Sequence, residues 1–340
     1  MTATRFTLVV EALVALSAFL NASGDAEAVT TIPVPNGGQA VTAKCDSAGT
    51  IHLVYDSAEG PQYVQSKDDG HSFSRPIAVV DRASRQPGLV FTAWDLAIGE
   101  GNRVHIAMGT NAWKLKLPQE DWGFFYTRLD PGATAFSPVQ NINRKPSEGF
   151  SLGADDHGNI TACWLSDRLY ANVSHDNGAS FSPTVEIDPK LNPCNCCTTS
   201  CAYGADGRLA ILYREETNDD RDMYLVLWDQ SSNKVSRTRV GATGWKINAC
   251  PMSYYTVTTS GQGFTAVWPT KGEIYFAKLD RRGLPNGPSE IKTPGMTGMR
   301  TGMLTLTDLL RTRSWPGKRT ANSAGKYTMA KASLPEALPR

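Results

Sequence analysis

The chain has 340 residues, a formal net charge of +1 and a hydrophobic fraction of 41%. Because neither sign of charge dominates, the composition gives no reason to expect nucleic acid or an acidic membrane surface as a partner. The length suits two average domains or one repeated all-β domain, and the pattern along the chain must decide between them.

The first 28 residues have the pattern of a secretory signal peptide. Arg5 precedes an apolar run from Phe6 to Leu20, and small residues continue to Ala28, which ends an A-x-A-like cleavage site. We therefore expect a secreted or periplasmic protein. Glu11 interrupts the run, so an uncleaved anchor or an incorrect start is the alternative. No later run approaches the ~20 apolar residues of a membrane span, so we expect none in the mature chain.

A nine-residue motif occurs twice, as SKDDGHSFS from residue 66 and as SHDNGASFS from residue 174. Each copy lies between two short apolar runs, which predicts a turn between antiparallel strands. In such a turn the Asp accepts hydrogen bonds from amides, the Gly takes a positive φ and the Phe packs beneath. The structural positions of the motif are Ser66, Asp68, Gly70 and Phe73, and Ser174, Asp176, Gly178 and Phe181.

Weaker copies of the motif extend the repeat along the chain. They lie around Asp130, Asp229 and Asp280, and the mean spacing of the five aspartates is 53 residues. Each period reads as four short strands, which is one propeller blade. The predicted blades are Gln39–Val80, Leu89–Ile142, Phe150–Ile187, Thr199–Val240, Pro251–Ile291 and an incomplete sixth from near Arg300. We therefore predict an all-β, six-bladed β-propeller over residues 29–307.

The motif and its period resemble the Asp-box, or BNR, repeat of the sialidase superfamily of β-propellers. The resemblance covers nearly the whole mature chain, although only the two intact boxes and the period are specific to it. It implies that each box joins the third and fourth strands of a blade, away from the active face. His71 and His175, inside the boxes, are therefore poor catalytic candidates.

The last segment, residues 308–340, departs from the repeat. After Asp308 it contains seven basic residues against Glu336 alone, and it shows no alternation and no box. One interpretation is a disordered basic tail. The hypothesis that we favour is a frameshifted remnant of the sixth blade. Read in a shifted frame from Arg313, the codons can spell VLAWKTHGKLGWQVYDGKGQPS, which repeats the patterns of blades three and five.

The resemblance also implies where chemistry would occur, namely in the loops opposite the boxes. Exo-sialidases of the superfamily bind the sugar carboxylate with three arginines, attack with a tyrosine activated by a glutamate, and use an aspartate as acid and base. Residues of these types lie in the corresponding loops here. The implied roles are a clamp of Arg214, Arg221 and Arg300, a nucleophile at Tyr254 or Tyr255, a base at Glu215 or Glu216, and an acid at Asp95.

The pattern departs from the family at the first arginine of the clamp. That arginine lies in an Arg-Ile-Pro motif, and the nearest match here is Thr31-Ile32-Pro33. The residues also allow simpler roles: Arg214 and Arg221 could pair with acids of a solvated loop, and two adjacent tyrosines could alternate along an inner strand. Two functions therefore stay open. One is a glycoside hydrolase that removes terminal acidic sugars, and the other is a non-catalytic propeller that binds glycan or protein.

The cysteines form the most distinctive local pattern. Cys194, Cys196, Cys197 and Cys201 fall within eight residues, and Cys197 and Cys250 are one blade period apart. These two thiols should therefore occupy corresponding places in adjacent blades, which favours a disulfide between them and a second bridge within the cluster. Thiolate binding of zinc or copper is the alternative. We expect no cofactor.

The frameshift hypothesis predicts a one-base change near codon 313 when the gene is sequenced again. Tryptic digestion of the natural protein should then release peptides of the shifted frame, such as LGWQVYDGK. Detection of TANSAGK, which the tail as written contains, would contradict the hypothesis.

Overall fold

The computed structural model describes residues 30–81, 86–251, 253–287, 314–317 and 326–333. The predicted signal peptide, Arg300 and the inner strand expected at residues 301–307 lie outside these ranges. Regular structure in the described ranges consists of β-strands and single-turn 3-10 helices, so the all-β prediction is confirmed. None of the described helices is long and apolar enough to cross a bilayer.

The first strand, β1 (Thr30–Pro33), precedes five antiparallel sheets, each built from strands consecutive in sequence. Blade one contains β2 (Gln39–Cys45), β3 (Ile51–Ser57), β4 (Gly60–Ser66) and β5 (Ile77–Ala78). Blade two contains β6 (Phe91–Gly99), β7 (Arg103–Thr110), β8 (Phe125–Leu129) and β9 (Gln140–Asn141). Blade three contains β10 (Glu148–Ala154), β11 (Ile160–Leu165), β12 (Leu169–Ser174) and β13 (Val185–Glu186).

Blade four contains β14 (Thr199–Tyr203), β15 (Leu209–Arg214), β16 (Met223–Asp229) and β17 (Lys234–Gly241). Blade five contains three strands, β18 (Thr256–Ser260), β19 (Gly263–Thr270) and β20 (Glu273–Leu279). The inner strands β2, β6, β10, β14 and β18 contact one another in this order, so the blades follow one another around a common axis.

The second strand of a blade is covered on both faces, and its sequence shows this. Every residue of β11, which reads ITACWL, and of β15, which reads LAILYR, is buried. A strand covered on both faces reads as a nearly continuous apolar run instead of an alternating one. The outer strands are short or exposed: β5, β9 and β13 have two residues each, and β17 is largely exposed. The apolar core therefore lies between the blades.

Each interface between neighbouring blades has its own apolar cluster. Val54 and Ile106 belong to the cluster between blades one and two, and Tyr126 and Trp164 belong to the cluster between blades two and three. The junction of blades three and four includes Trp228, and that of blades four and five includes Trp268. A blade thus depends on its neighbours to bury its faces, as in other repeat architectures.

The predicted number of blades, six, is wrong for the described residues, which form five. The four-stranded meander stops after β20, and the segment from residue 288 to 313 lies outside the described ranges. The remaining sheet has three antiparallel strands in the order β1, β22 (Lys326–Ser333) and β21 (Ser314–Gly317). This sheet pairs β1 with two strands formed by segments of the tail, so its strands are not consecutive in sequence.

Both intact motifs lie in the turn between the third and fourth strands of a blade, and their geometry is the same. In blade three, Ser174 Oγ donates to Asp176 at 2.6 Å and accepts the N–H of Gly178 at 2.8 Å. In blade one, the corresponding distances from Ser66 are 2.7 and 2.9 Å. Phe181 packs edge-on against Tyr126 of the preceding blade, with ring centroids 4.9 Å apart. The motif therefore closes its own turn and also contacts the neighbouring blade.

Thr31-Ile32-Pro33 forms most of β1 and lies beside the first motif. An added Cβ on Gly70 would lie 2.5 Å from Ile32 Cδ1. In the same way, an added Cβ on Gly178 would meet Tyr126 of blade two. The Arg-Ile-Pro equivalent is therefore on the motif side of the molecule.

Gly178→Ala should destabilise the protein by about 2–4 kcal/mol. Gly178 has φ +75°, and an alanine Cβ would lie 1.8 Å from Tyr126 Oη, so overpacking adds to backbone strain. Gly207→Ala is the matched control, because Gly207 has φ +77° with nothing within 4 Å of the added Cβ. Its cost should be the strain alone, about 1–2 kcal/mol. Urea denaturation measures both, and equal costs would contradict the packing role of the motif.

Candidate functional site

Strand direction decides which loops meet at the candidate site. Consecutive strands of a blade run in opposite directions, so the motif turns share one face with the loops between first and second strands. The crossings between blades and the loops between second and third strands form the other face, which we call the crossing face. Arg214, Arg221, Tyr254 and the four cysteines of residues 194–197 and 250 all lie on the crossing face.

A small cavity of about 40 Å³ lies at the axis between the inner strands. All five blades contribute to it. The lining residues are Thr42, Lys44, Trp94, Asp95, Phe150, Thr198, Thr199, Ser200, Tyr254, Tyr255 and Thr256. Of the predicted catalytic residues, Asp95, Tyr254 and Tyr255 therefore meet at the axis.

Asp95 lies at an irregularity of β6, where the pairing with β7 shifts register between Ala93 and Asp95. Its two carboxylate oxygens accept the N–H groups of Leu96, at 2.8 Å, and of Leu152 in blade three, at 2.9 Å. Burial raises the pKa of Asp95, and the charge of Lys44 opposes this shift only in part. The carboxyl group thus links blade two to blade three by a hydrogen bond, and it also lines the cavity.

The two adjacent tyrosines point in different directions. Tyr254 is 37% exposed, and burial of its hydroxyl raises its pKa. Tyr255 is buried between blades four and five, where its hydroxyl donates to the carbonyl of Thr198 and accepts the N–H of Arg214. Only Tyr254 therefore presents its ring to a ligand on the crossing face.

Arg214 is fully buried between blades four and five, and its contacts differ from those of a carboxylate clamp. Its guanidinium donates to the carbonyls of Arg221 and Pro269, both at 2.6 Å, and to Ser253 Oγ at 3.2 Å. The guanidinium carbon also lies 5.1 Å from the ring of Trp245. Because these contacts engage both terminal nitrogens of a buried guanidinium, few of its N–H groups remain for a substrate.

Arg221 and Glu215 also bind protein groups. Arg221 donates to the carbonyl of Ile247 at 3.2 Å and to Cys194 Sγ at 3.0 Å. Glu215 is buried, accepts the hydroxyl of Tyr213 at 2.7 Å and pairs with Arg237 at 2.9 Å. Burial raises the pKa of Glu215.

The expected pairing of Glu215 with Tyr254 or Tyr255 is therefore absent from the contacts of the described residues. The tyrosine that contacts Glu215 is Tyr213, which is fully buried. The backbone N–H of Glu216, the other candidate base, donates to the carbonyl of Asn192 at 2.8 Å.

The predicted disulfide across the junction of blades four and five is present, but with a different partner. Cys250 is bonded to Cys196, with Cα atoms 6.3 Å apart, and the expected bond with Cys197 is not formed. Cys197 is buried beneath the loop, and its thiol donates to Cys194 Sγ at 3.3 Å. This hydrogen bond and the charge of Arg221 lower the pKa of Cys194 to about 6.

Cys201 is not part of that group. It is buried on β14, where it accepts a hydrogen bond from Ser151 of blade three at 3.4 Å. Cys45 and Cys163 lie in strands, and Cys163 is fully buried.

Sequence reasoning missed three groups near the axis. Lys44 and Trp94 line the cavity, and Asp56, at the end of β3, accepts the N–H of Ala93 at 3.0 Å. Burial raises the pKa of Asp56 to about 6. The signal that could have found these residues is their position, because they lie on inner strands or at the end of a second strand.

A larger recess, of about 660 Å³, is located elsewhere. It is lined by Phe264, Lys278, Asp280 and neighbouring residues of blade five. Asp280 follows the third strand of its blade, so this recess lies on the motif side and not at the axis. We therefore regard the axial cavity as the candidate site, although it is smaller.

Comparisons with known proteins agree on the fold. No family model matches the sequence, and neither does any curated protein. The structure resembles an alpha-L-arabinanase of Penicillium chrysogenum complexed with arabinobiose, with 14% identity, TM-score 0.55, and coverage of 88% of this chain and 96% of that one. It also resembles the GH93 alpha-L-arabinofuranosidase of Fusarium graminearum, with 14% identity, TM-score 0.55, and coverage of 89% and 97%.

The endosialidase of phage phi92 matches with 9% identity and TM-score 0.55, over 92% of this chain and 70% of that one. The likeness to sialidase-type proteins predicted from the motif therefore holds at the level of the fold.

Asp56 should make stability depend on pH between about 4 and 6. Its pKa is raised from 3.8 to about 6 in the folded protein. Within this window the folded state holds a proton that the unfolded state has released, so the free energy of unfolding falls as pH rises. Asp56→Asn removes this loss, so the variant should gain stability relative to the parent from pH 4 to pH 6, as measured by urea denaturation.

Asp68→Asn is the control for this measurement. The hydrogen bonds from Ser72 and Ser66 lower the pKa of Asp68 to about 2. Its stability difference from the parent should therefore stay constant between pH 5 and 7. A constant difference for Asp56→Asn as well would contradict the raised pKa.

Proposed function

We propose that the protein is an exported propeller that acts on glycans, with the axial cavity and the exposed ring of Tyr254 as its binding site. The observation that carries the proposal is the meeting of Trp94, Asp95 and Tyr254 at the axis. Binding sites commonly combine an apolar or aromatic wall with a few convergent polar groups. Residues of all five blades line the cavity.

The size of the cavity limits what can enter it. About 40 Å³ holds a few water-sized groups and not a whole sugar ring. A substituent of a terminal sugar, such as a carboxylate or a hydroxymethyl group, would fit, while the ring itself would stack on Tyr254. Lys44 places a positive charge in the same cavity, which suits an acidic substituent. The neighbours of the same fold support a carbohydrate ligand, since two of their names refer to arabinobiose.

Hydrolysis would require a nucleophile or activated water and a proton donor. Asp95 is the candidate for the acid, and Asp56, with a pKa of about 6, is a second carboxyl suited to proton transfer near neutral pH. Tyr254 is the accessible candidate nucleophile. The roles proposed for Arg214, Arg221 and Arg300 as a clamp would require side-chain rearrangement of the first two, which bind carbonyls and sulfur.

Binding without hydrolysis is the second candidate, and one observation favours it specifically. Both oxygens of Asp95 accept backbone N–H groups, and no glutamate is paired with Tyr254 among the hydrogen bonds of the described residues. A phenol with a raised pKa and no adjacent base is a weak nucleophile at neutral pH.

Export is part of the proposal because of the pattern of residues 1–28 and the disulfide of Cys196 and Cys250. Disulfides persist mainly in oxidising compartments.

Tyr254→Ala should weaken glycan binding about tenfold, because a lost aromatic stacking contact is worth about 1.5 kcal/mol. Binding of the purified protein to a glycan array and titration calorimetry with the best ligand measure the effect. Tyr254→Phe keeps the ring and should bind nearly normally. Leu284→Ala, an exposed residue on the motif side, is the matched control. An unchanged affinity of Tyr254→Ala would place the binding site elsewhere.

Release of a fluorogenic aglycone from a sialoside and from an arabinofuranoside distinguishes the two candidate functions. If the protein is a hydrolase, Asp95→Asn or Asp56→Asn should lower kcat by about 10²-fold or more. Glycan binding without release by the parent protein would establish the binding module.

A further inference from the structure

The most unusual group of side chains outside the axial cavity is a cluster of four cysteines, Cys194, Cys196, Cys197 and Cys250. Their sulfur atoms all lie within 4.8 Å of one another. The chain brings them together from two successive crossings, because the crossing into blade four carries three of them and the crossing into blade five carries the fourth. The cluster thus sits at the junction of blades four and five on the crossing face.

We infer that, when its cysteines are reduced, this cluster is a tetrathiolate site for one zinc ion. In a tetrahedral zinc site with Zn–S bonds of about 2.3 Å, the sulfurs are about 3.8 Å apart. Cys194 Sγ lies 3.6 Å from Cys196 Sγ and 3.3 Å from Cys197 Sγ. Cys194 Sγ is therefore already close to this separation from both of these sulfurs, and the disulfide-bonded sulfurs of Cys196 and Cys250 would move apart on reduction. This inference does not depend on the proposed glycan binding.

The charges around the cluster provide an independent argument. Arg214 is fully buried, and Arg221 is partly buried, yet neither forms an ion pair with a carboxylate of the described residues. Arg214 Nε is also buried without a hydrogen-bond partner. Burying a cation without a counter-charge is costly. Two cations therefore lie beside the sulfurs, and no carboxylate of the described ranges pairs with either of them.

A zinc ion bound by four thiolates would provide the missing counter-charge. The ion carries two positive charges and the thiolates four negative charges, so the site has a net charge of −2. Arg214 and Arg221 together carry +2, and the complete group would be neutral. With neutral thiols in place of the thiolates, both guanidiniums would remain uncompensated in an apolar junction that includes Trp268 and Tyr255.

Hydrogen-bond donors already point at the sulfurs in the way that thiolate ligands require. Arg221 Nη1 donates to Cys194 Sγ at 3.0 Å. The backbone N–H of Ser253 donates to the sulfur of Cys197, and the guanidinium of Arg214 lies beside the same sulfur. Donors of this kind orient metal ligands and offset their charge. Arg214 and Arg221 are therefore positioning residues for the inferred site.

The inferred site exists in the reduced protein, because Cys196 and Cys250 are joined by a disulfide in the structure. A dithiol reductant supplies two electrons and two protons, so its own sulfurs form a disulfide while Cys196 and Cys250 become thiols. Zinc then binds all four sulfurs, and the protons that the thiols still carry are released to solvent. The same four residues thus give a covalent link between two blades when oxidised and a metal link when reduced.

The experiment is a titration of the full chain, reduced under anaerobic conditions and treated with a chelator, with Co²⁺ as spectroscopic probe. Intense thiolate-to-cobalt charge-transfer bands together with visible bands of tetrahedral cobalt should saturate at one ion per chain, and Zn²⁺ should displace the cobalt. Cys194→Ser and Cys197→Ser should bind cobalt more weakly, and the charge-transfer bands should fall to the intensity of three thiolates. Cys45→Ser, which removes a half-buried thiol on blade one, should keep them.

Arg221→Gln should weaken zinc binding about 10- to 100-fold, because it removes a donor to the ligand sulfur and one compensating charge. Arg208→Gln is the matched control, since Arg208 pairs with Asp206 at the opposite end of blade four. Equal affinities of the two variants would overturn the argument from charge.

A second measurement uses the parent protein and therefore tests the inference even if a cysteine variant fails to fold. In the reduced parent protein, Zn²⁺ should protect the four clustered cysteines from alkylation, as read by mass spectrometry of peptides, and should leave the reactivity of Cys45 unchanged. Absence of charge-transfer bands in the reduced, folded parent protein, or equal labelling with and without zinc, would overturn the inference. Unchanged cobalt affinity and unchanged charge-transfer intensity in Cys194→Ser would show an adventitious ion only.

Discussion

The structure depends on one constraint, which is that every sheet has two faces to bury and only its neighbours can bury them. Trp164 of blade three packs into the cluster shared with blade two, and Trp228 of blade four packs into the cluster shared with blade three. Interface packing of this kind makes the free energy of one blade inseparable from that of the next. The five sheets therefore form a single cooperative body around the axis, and the loops on the crossing face are held relative to one another.

The packing of each blade against its neighbours also engages many polar groups near the axis in hydrogen bonds between blades. Asp56 accepts an N–H of blade two, Asp95 one of blade three, and Ser200 accepts the N–H of Val257 in blade five at 3.0 Å. These hydrogen bonds fix the position of each inner strand relative to the inner strand of the next blade. These polar residues at the axis therefore have an architectural role before a chemical one, whereas the Tyr254 side chain takes part in none of the hydrogen bonds among the described residues.

Much of the fold could be predicted from the sequence because a propeller repeats its signals. The expected blade four, Thr199–Val240, differs from the observed strands by one residue at its end, since alternation and turn residues mark both boundaries. The predicted number of blades was wrong where the sequence no longer shows the repeat. Residues 308–340 show neither alternation nor a box turn, and β22 pairs with β1, which is nearly 300 residues away in sequence. Pairing over such a distance leaves no local signal.

The site was less predictable because residue type does not fix side-chain direction. Arg214 ends a central strand that is covered on both faces, so its guanidinium enters the blade junction and not the axis. The register irregularity beside Asp95 could not be read from FTAWDLAIG. For the cysteines, the spacing of one blade period correctly indicated a disulfide between blades four and five. Cys196 and Cys197 are adjacent in an irregular loop, however, and their side chains point to different sides. Cys196, not Cys197, therefore reaches Cys250.

The link between Cys196 and Cys250 encloses all of blade four in a covalent loop. The loop between its second and third strands contains Asn218 and Asp219, both exposed and both with positive φ, which is the kind of site that proteases cut. A single cut there would leave the two fragments joined in one molecule. It would be invisible on a non-reducing gel and would separate the fragments only after reduction.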